Sequence, residues 1–329
     1  MRVEYREEPC KVALSRVEGM SFRWSLNPYM GCEHQCTFCY VRAFELRADR
    51  PWDGRYGESI RVKVNVAEVL GGELARPSWR RELVAIGAAT DPYQPAEGRY
   101  RLTRRCLQAL AVARNPLSLI TRGPLVVRDI DVLQEAARRA AVDVNISIPT
   151  LDETVWRRTE PGTAPPRQRL RALRMLVDAG IKAGVGVAPV LPGISDRPEQ
   201  LAALVRAARD AGATHLWCAV LHLRSGTREH FLENLARDWP DLVPRYERLY
   251  HGAYLPTRVT EPVTQQVTRR SRRSSSRSRS EHRKEKAMWG SKTKLAMPTP
   301  ETALPGRAER MRVPATHHVS GTPLTPPLL

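Results

Sequence analysis

The chain has 329 residues, of which 42% are hydrophobic and only 6% aromatic, and it carries a formal net charge of +18. It is long enough for one large α/β barrel or two domains, and apolar enough for a real core. No apolar run follows the opening MRVEYREEPCKVALSRVEG and none approaches membrane-spanning length, so a soluble, cytoplasmic protein with no membrane partner is expected.

From Arg61 to Leu223 one theme recurs: a short apolar run, a loop, then an amphipathic helical pattern. The runs are LVAIGAAT (83–90), LSLITRG (117–123), VDVNISIPT (142–150), KAGVGVAPVLPG (182–193) and THLWCAVLHL (214–223), with FRWSLNPYMG (22–31) ahead of them. Several are apolar at consecutive positions, as strands covered on both faces must be. The helical patterns are 103–115, with Leu107, Leu110 and Ala111 on one face; 127–140, with Ile130, Leu133 and Ala137 together; and 169–180 and 198–212, both ending in Ala-Gly, a helix-stop signal. Such alternation implies right-handed parallel βαβ units and an α/β fold, a partial (β/α)6 barrel whose functional loops follow the strands.

Three regions result: an N-terminal extension over 1–20, a core over 21–256 and a tail over 257–329. The tail has no Ile, Phe, Tyr or Asp, holds eight prolines and includes SRRSSSRSRSEHRKEK. That composition predicts disorder. Charge divides unevenly, +10 on the tail and +8 on the body. A basic body suits nucleic acid or another anion without establishing either, and a solvated Arg-rich surface is the commoner outcome.

Half of the six cysteines fall in NPYMGCEHQCTFCYVR (27–42), spaced C-x3-C-x2-C. Without a membrane or a secretory signal, cysteines read as thiols or metal ligands before disulfides. Structural zinc requires a fourth ligand, from Cys10, His34 or a distant histidine, and no second C-x2-C half is present. Three thiolates suit a [4Fe–4S] cluster with one iron left open, which fits the chemistry better than zinc. His215, His222 and His230 show no metal-binding spacing.

Cys32-EHQ-Cys36-Thr37-Phe38-Cys39 resembles the signature of the radical S-adenosylmethionine (SAM) superfamily. The flanking NPYMGC and TDPYQPAE (90–97) resemble its spore photoproduct lyase-like branch, over about residues 20–255. The resemblance implies that Cys32, Cys36 and Cys39 ligate three irons and that SAM binds the fourth. Reductive cleavage would then give a 5′-deoxyadenosyl radical that abstracts hydrogen from a substrate. It also implies a flavodoxin- or ferredoxin-type electron donor. Thr90, Arg122 and Ser147 match positions that contact SAM in the lyase; Asp91 accompanies Thr90, Ala188 in Val187-Ala188-Pro189 would line the adenine, and Phe38 would shape its pocket. Asp91, Gln94 and Glu97 are candidates for polar substrate contacts, with an ordinary Pro-capped turn as the alternative.

Gly71-Gly72-Glu73 matches a SAM-binding motif literally but falls in the helical pattern before the second strand, on the wrong side of the barrel. The lyase's hydrogen-donating cysteine is replaced by Ala88, whereas the tyrosine after the third cluster cysteine is retained as Tyr40, a catalytic candidate. Cys218 reads as a small buried hydrophobe and Cys106 as structural, so dimer repair is disfavoured. The rival functions are a zinc- or cluster-bearing nucleic-acid-binding protein without catalysis, and a barrel whose cluster is structural or redox-sensing.

Overall fold

In the computed structural model, which describes residues 3–268, each apolar run supplies a strand: β1 (Trp24–Leu26), β2 (Val84–Ile86), β3 (Leu117–Thr121), β4 (Val142–Ser147), β5 (Ala183–Val190) and β6 (Leu216–Val220). They lie side by side in chain order, and every neighbouring pair is parallel. The register is continuous, with Leu26 opposite Ile86, Ile86 opposite Leu119 and Leu119 opposite Val144. The sheet does not close, since β6 and β1 are not paired. A partial (β/α)6 barrel results.

Alternation along the strands separates two environments. Leu119, Val144, Ile146, Val185 and Val187 face the helices and are at most 1% exposed. They share one core with Leu107, Leu110, Leu133, Leu173, Leu176 and Leu204 from the helices Leu102–Val112, Ile130–Arg139, Pro166–Asp178 and Pro198–Asp210. Each such side chain contributes about 1.5–3 kcal/mol of burial. The other strand face carries Ser118, Asn145, Ser147, Gly184 and Gly186, and the glycines make room for the His215 and Trp217 side chains of β6, with Trp217 Nε1 donating to Asn145 Oδ1 at 2.8 Å. Gly180 and Gly212 stand at φ +79° and +87° just past their helices, the left-handed stop that the Ala-Gly pairs predict.

Three expectations are corrected in detail. The run 22–31 splits after Leu26, and Tyr29–Met30 joins a separate three-stranded sheet with Ser59–Lys63 and Glu4–Glu8. In 127–140 a tight 3₁₀ turn, Pro124–Asp129, precedes the helix and rotates its buried face to Val132, Leu133 and Ala136, leaving Ala137 exposed. Residues 257–268, counted above with the tail, form a helix whose Val267 is fully buried in the main core with Val263 packed against it. Val259, Val263 and Val267 recur every four residues and give that helix an apolar stripe. The rest of the tail, 269–329, lies outside the described residues. The extension at 1–20 is built in: Glu4–Glu8 pairs with Ser59–Lys63, and Leu14–Arg16 pairs antiparallel with β1. Among the described residues no helix is long and apolar enough to cross a membrane.

Candidate active site

The cysteine loop leaves β1 at the carboxyl end of the barrel. Cys32 and Cys36 are 7% and 6% exposed, Cys39 is half-buried, and all three are free thiols. Burial pushes the thiols of Cys36 and Cys39 up, and their mutual repulsion adds to this, while the Arg122 cation pulls Cys36 back down. Three buried polar atoms around the loop have no partner: Arg42 Nε, Tyr56 Oη and Glu160 Oε2. Tyr56 packs with Cys32 and Cys39, and the Arg42 guanidinium lies 4.8 Å from its ring centroid. Among the described residues no three His, Cys, Asp or Glu side chains gather around a single metal ion. An iron–sulfur cluster takes one cysteine per iron and offers sulfide acceptors to nearby donors, so these residues fit it.

The loop after β2 holds the cysteine loop from one side. Thr90 Oγ1 donates to Gly31 O (2.7 Å) and accepts from Gln94 Nε2 (2.8 Å), while Glu33 N donates to Gln94 Oε1 (3.1 Å). Asp91 accepts from Tyr93 N (2.9 Å), Thr121 Oγ1 (2.5 Å) and Arg122 N (2.7 Å), and lies 3.3 Å from His34 Nδ1 in ion-pair contact. Burial raises the Asp91 carboxyl, but His34 and these hydrogen bonds outweigh it and hold it at about 2. Burial likewise lowers His34, and the charges of Cys32 and Asp91 overcome it to reach about 10. Glu97 is fully buried and accepts from Tyr29 Oη (2.5 Å), Thr103 N (2.9 Å) and Arg128 Nη2 (2.6 Å). Asp91, Gln94 and Glu97 are therefore structural ties, and their expected role as polar substrate contacts is corrected. Their acceptors and donors are already committed, as buried polar groups require.

The opposite wall gathers Phe38, Arg122, Ser147 and Ala188. The Arg122 guanidinium lies 5.5 Å from the Phe38 ring centroid and donates to Glu160 Oε1 (2.8 Å) and Ala188 O (3.2 Å). Ser147 Oγ donates to the same Ala188 carbonyl at 3.1 Å. Arg122 Nη1 makes no hydrogen bond among the described residues, and the side chain is 23% exposed, an available cation beside Cys36. Glu160 and Arg169, both fully buried, escaped the sequence reading. Arg169 donates to Glu160 Oε1 (3.0 Å), Ser147 O (2.9 Å) and Ala164 O (2.8 Å), and also bonds Thr163 Oγ1. The loop they brace clasps the cysteine loop through Thr37 N to Thr159 O (2.9 Å) and Gly162 N to His34 O (3.1 Å). A Cβ on Gly162 would sit 2.3 Å from Glu33 O, so only glycine fits. The turn Glu160-Pro161-Gly162-Thr163 was the one available signal for this clasp.

At the rim, Tyr40 Oη donates to Ala88 O, which places these two residues side by side. Rings continue outward: Tyr40 packs on Phe44 (5.9 Å) and His222 (5.8 Å), and His222 stacks on Tyr254 (5.3 Å). Arg47 lies over Phe44 and Arg224 over Tyr254. Cys106 is fully buried in the helical core, and Cys218 packs against that core from the helix-facing side of β6. Cys10 donates its backbone N–H to Asn65 Oδ1 at 2.7 Å. Gly71-Gly72-Glu73 lies in the helix Val66–Leu74, where Glu73 accepts from Ala13 N and Leu14 N, remote from the thiols.

A parallel half-open barrel with a buried three-thiol loop after its first strand defines an enzyme of the cofactor-bearing barrel class. More closely, the chain belongs to the radical SAM superfamily, whose family model matches residues 26–205. It is an enzyme of the radical SAM class, and SAM, an iron–sulfur cluster and a reductant go with that family. An uncharacterized protein of Mycobacterium tuberculosis strain H37Rv is 42% identical over 263 residues, 79% of this chain and 77% of the relative. Another uncharacterized protein, from Acidianus two-tailed virus, is 32% identical over 228 residues, 66% of this chain and 72% of the relative. Among solved structures, a tyrosine-to-phenylalanine mutant of spore photoproduct lyase aligns with TM-score 0.62 at 15% identity, covering 81% of this chain and 78% of that one. A lyase mutant with bound AdoMet and dinucleoside spore photoproduct aligns with TM-score 0.55 at 16% identity, covering 77% and 82%. At such identity the likeness is one of fold.

Proposed function

We propose that Cys32, Cys36 and Cys39 hold a [4Fe–4S] cluster that reductively cleaves SAM, giving a 5′-deoxyadenosyl radical that takes hydrogen from a substrate. The observation that carries this reading is the set of three free thiols, two buried and one half-buried, ringed by unpartnered polar atoms. Arg42 and Tyr56 donate toward the sulfur atoms from one side and His34 from another. Arg122 offers Nη1 to the methionine carboxylate, a charge-assisted contact in a site shielded from water. Phe38 and Ala188 shape the adenine pocket, and Ser147 fixes the Ala188 carbonyl. Thr90 and Asp91 act on SAM through the loop geometry they hold. The electron comes from a flavodoxin- or ferredoxin-type donor. The test is anaerobic reconstitution, iron and sulfide analysis, and a 5′-deoxyadenosine assay under dithionite. Zinc in place of iron overturns the reading, and iron without SAM cleavage favours a structural cluster.

A second reading concerns the substrate, and the rim favours it. Exposed rings of Phe44, Tyr40 and Tyr254, flanked by Arg47 and Arg224, suit unstacked bases and backbone phosphates of a single-stranded nucleic acid. Salt-dependent oligonucleotide binding that Tyr254→Ala weakens supports it, and binding unchanged by that substitution removes it. If binding persists without SAM cleavage, the noncatalytic nucleic-acid reading takes over. Photoproduct lyase activity has less support, because Ala88, which lies beside Tyr40, carries no thiol to donate hydrogen.

A further inference from the structure

Two cations beside the cysteine loop have a carboxylate of their own: His34 lies 3.3 Å from Asp91, and Arg122 lies 2.8 Å from Glu160. A third, Arg42, has none among the described residues. Its Nη1 donates to the backbone oxygens of Trp52 (2.6 Å) and Asp53 (2.5 Å), and its Nε has no partner. The Asp53 carboxylate is spent on Arg55, at 3.0 Å. Yet Arg42 is only 1% exposed. Arg169, the other fully buried arginine among the described residues, is paired with Glu160. A charge taken out of water without a partner is strongly destabilising, so a fold that keeps one keeps it against an anion.

The anion is at hand in the thiols. The Arg42 guanidinium covers the Tyr56 ring, Tyr56 packs with Cys32 and Cys39, and Arg42 lies near enough to Cys39 and Cys36 to feel their charges. Thiols bound to iron are deprotonated outright. Three thiolates on a doubly positive [4Fe–4S] core leave one negative charge, and the electron that precedes SAM cleavage makes it two. Nothing has to enter from solvent to reach Arg42, because its partner is carried by the loop from which Arg42 itself extends.

We infer that Arg42 is the internal counter-ion of the cluster, and that its charge favours the reduced form and so raises the reduction potential. The inference rests on the functional reading above and adds a positioning residue that acts on electron uptake while touching neither SAM nor substrate. In that step one electron passes from the flavodoxin- or ferredoxin-type donor to the cluster, and no bond is made or broken at Arg42. A cation counts for more here than in water, because burial leaves little solvent to screen it. The unpartnered Tyr56 hydroxyl, on a ring that is 3% exposed, adds a hydrogen-bond donor that works in the same direction.

The test is a redox titration of the reconstituted full chain, without SAM, followed by electron paramagnetic resonance of the reduced cluster, for wild type, Arg42→Gln and Arg42→Lys. Glutamine keeps a donor for the backbone oxygens and removes the charge; lysine keeps the charge. At the wild-type midpoint the ratio of oxidised to reduced cluster is expected to rise about tenfold in Arg42→Gln, a fall of about 59 mV for one electron, and to stay within about threefold in Arg42→Lys. An unshifted Arg42→Gln, or equal shifts in both variants, overturns the counter-ion and leaves Arg42 as a strut for the loop that carries Trp52 and Asp53. Where Arg42→Gln does not hold the cluster, iron content decides. Iron kept by Arg42→Lys and lost by Arg42→Gln supports the role of charge, and iron lost by both overturns it. Iron and sulfide are measured on the wild type as well. Zinc or no metal there removes the functional reading itself, whereas a normal wild-type cluster beside an unshifted Arg42→Gln removes only the counter-ion.

Discussion

Cys36 sits between the cation of Arg122 and the apolar side chains of Phe38, Leu191 and Leu221, so its removal takes away a ligand and leaves the loop packing in place. Cys36→Ala is expected to abolish cluster retention and SAM cleavage while the circular dichroism spectrum stays near wild type; retained 5′-deoxyadenosine production would displace the ligand assignment. His230 supplies a pH-dependent residue away from the thiols. Burial first, then the charges of Arg42 and Arg237 against the opposing Asp53, lower its pKa to about 4. The unfolded chain therefore binds a proton that the folded chain refuses between about pH 6.5 and 4. That contribution is complete above pH 6.5 and disappears as pH falls toward 4. Allowing for solvent screening it is on the order of 1 kcal/mol, and His230→Gln should flatten the difference between unfolding midpoints at pH 7 and pH 5. At this scale the cysteines were legible because their spacing is local. Glu160 and Arg169 were not, because a buried ion pair between a turn and a helix looks in sequence like two ordinary surface charges.

The clasp from residues 159–163 and the brace from residues 90–97 show how elements far apart in the chain converge on one loop. Gly162→Ala brings a methyl group against the Glu33 carbonyl, which must part the clasp from the cysteine loop. We expect a loss of about 1–3 kcal/mol in stability and faster release of iron on oxygen exposure, read by thermal unfolding and by bleaching of the cluster absorbance. Wild-type iron retention in that variant would show that the clasp is dispensable. The six strands and four main helices were readable from apolar runs and stop signals, since parallel strands covered on both faces must be apolar throughout. The breaks were not. Where Tyr29–Met30 leaves β1, and where a 3₁₀ turn shifts the phase of the 127–140 helix, the deciding contacts come from distant segments. The role of Gln94, fully buried and bonded to Gly31, Glu33 and Thr90, is a tertiary fact of the same kind.

At the scale of the molecule, the helix at 257–268 extends the folded body past the expected boundary. Val267 and Val263 pack on the barrel core, and Val259 packs on the cluster that holds Cys36 and Phe38. Truncation after residue 268 is expected to leave iron content and unfolding temperature unchanged. Truncation after 256 removes the buried Val267 and uncovers the core surface it packs on, costs about 2 kcal/mol or more, and lowers the unfolding midpoint measured by calorimetry; equal midpoints would show that the helix adds nothing. Composition misled here because the basic, Pro-rich bulk of the tail hid three valines at helical spacing. The unclosed sheet has a further consequence, for solubility. A parallel sheet with two free margins invites a second molecule to add its own strand. On one margin the edge strand is Leu14–Arg16, antiparallel and only three residues long, which offers an intruder a very short ladder. On the other, the register of β6 slips between Cys218 and Val220, so an incoming strand would meet misaligned donors and acceptors. The gap that opens the barrel to ligands is thus flanked by two edges unsuited to self-association.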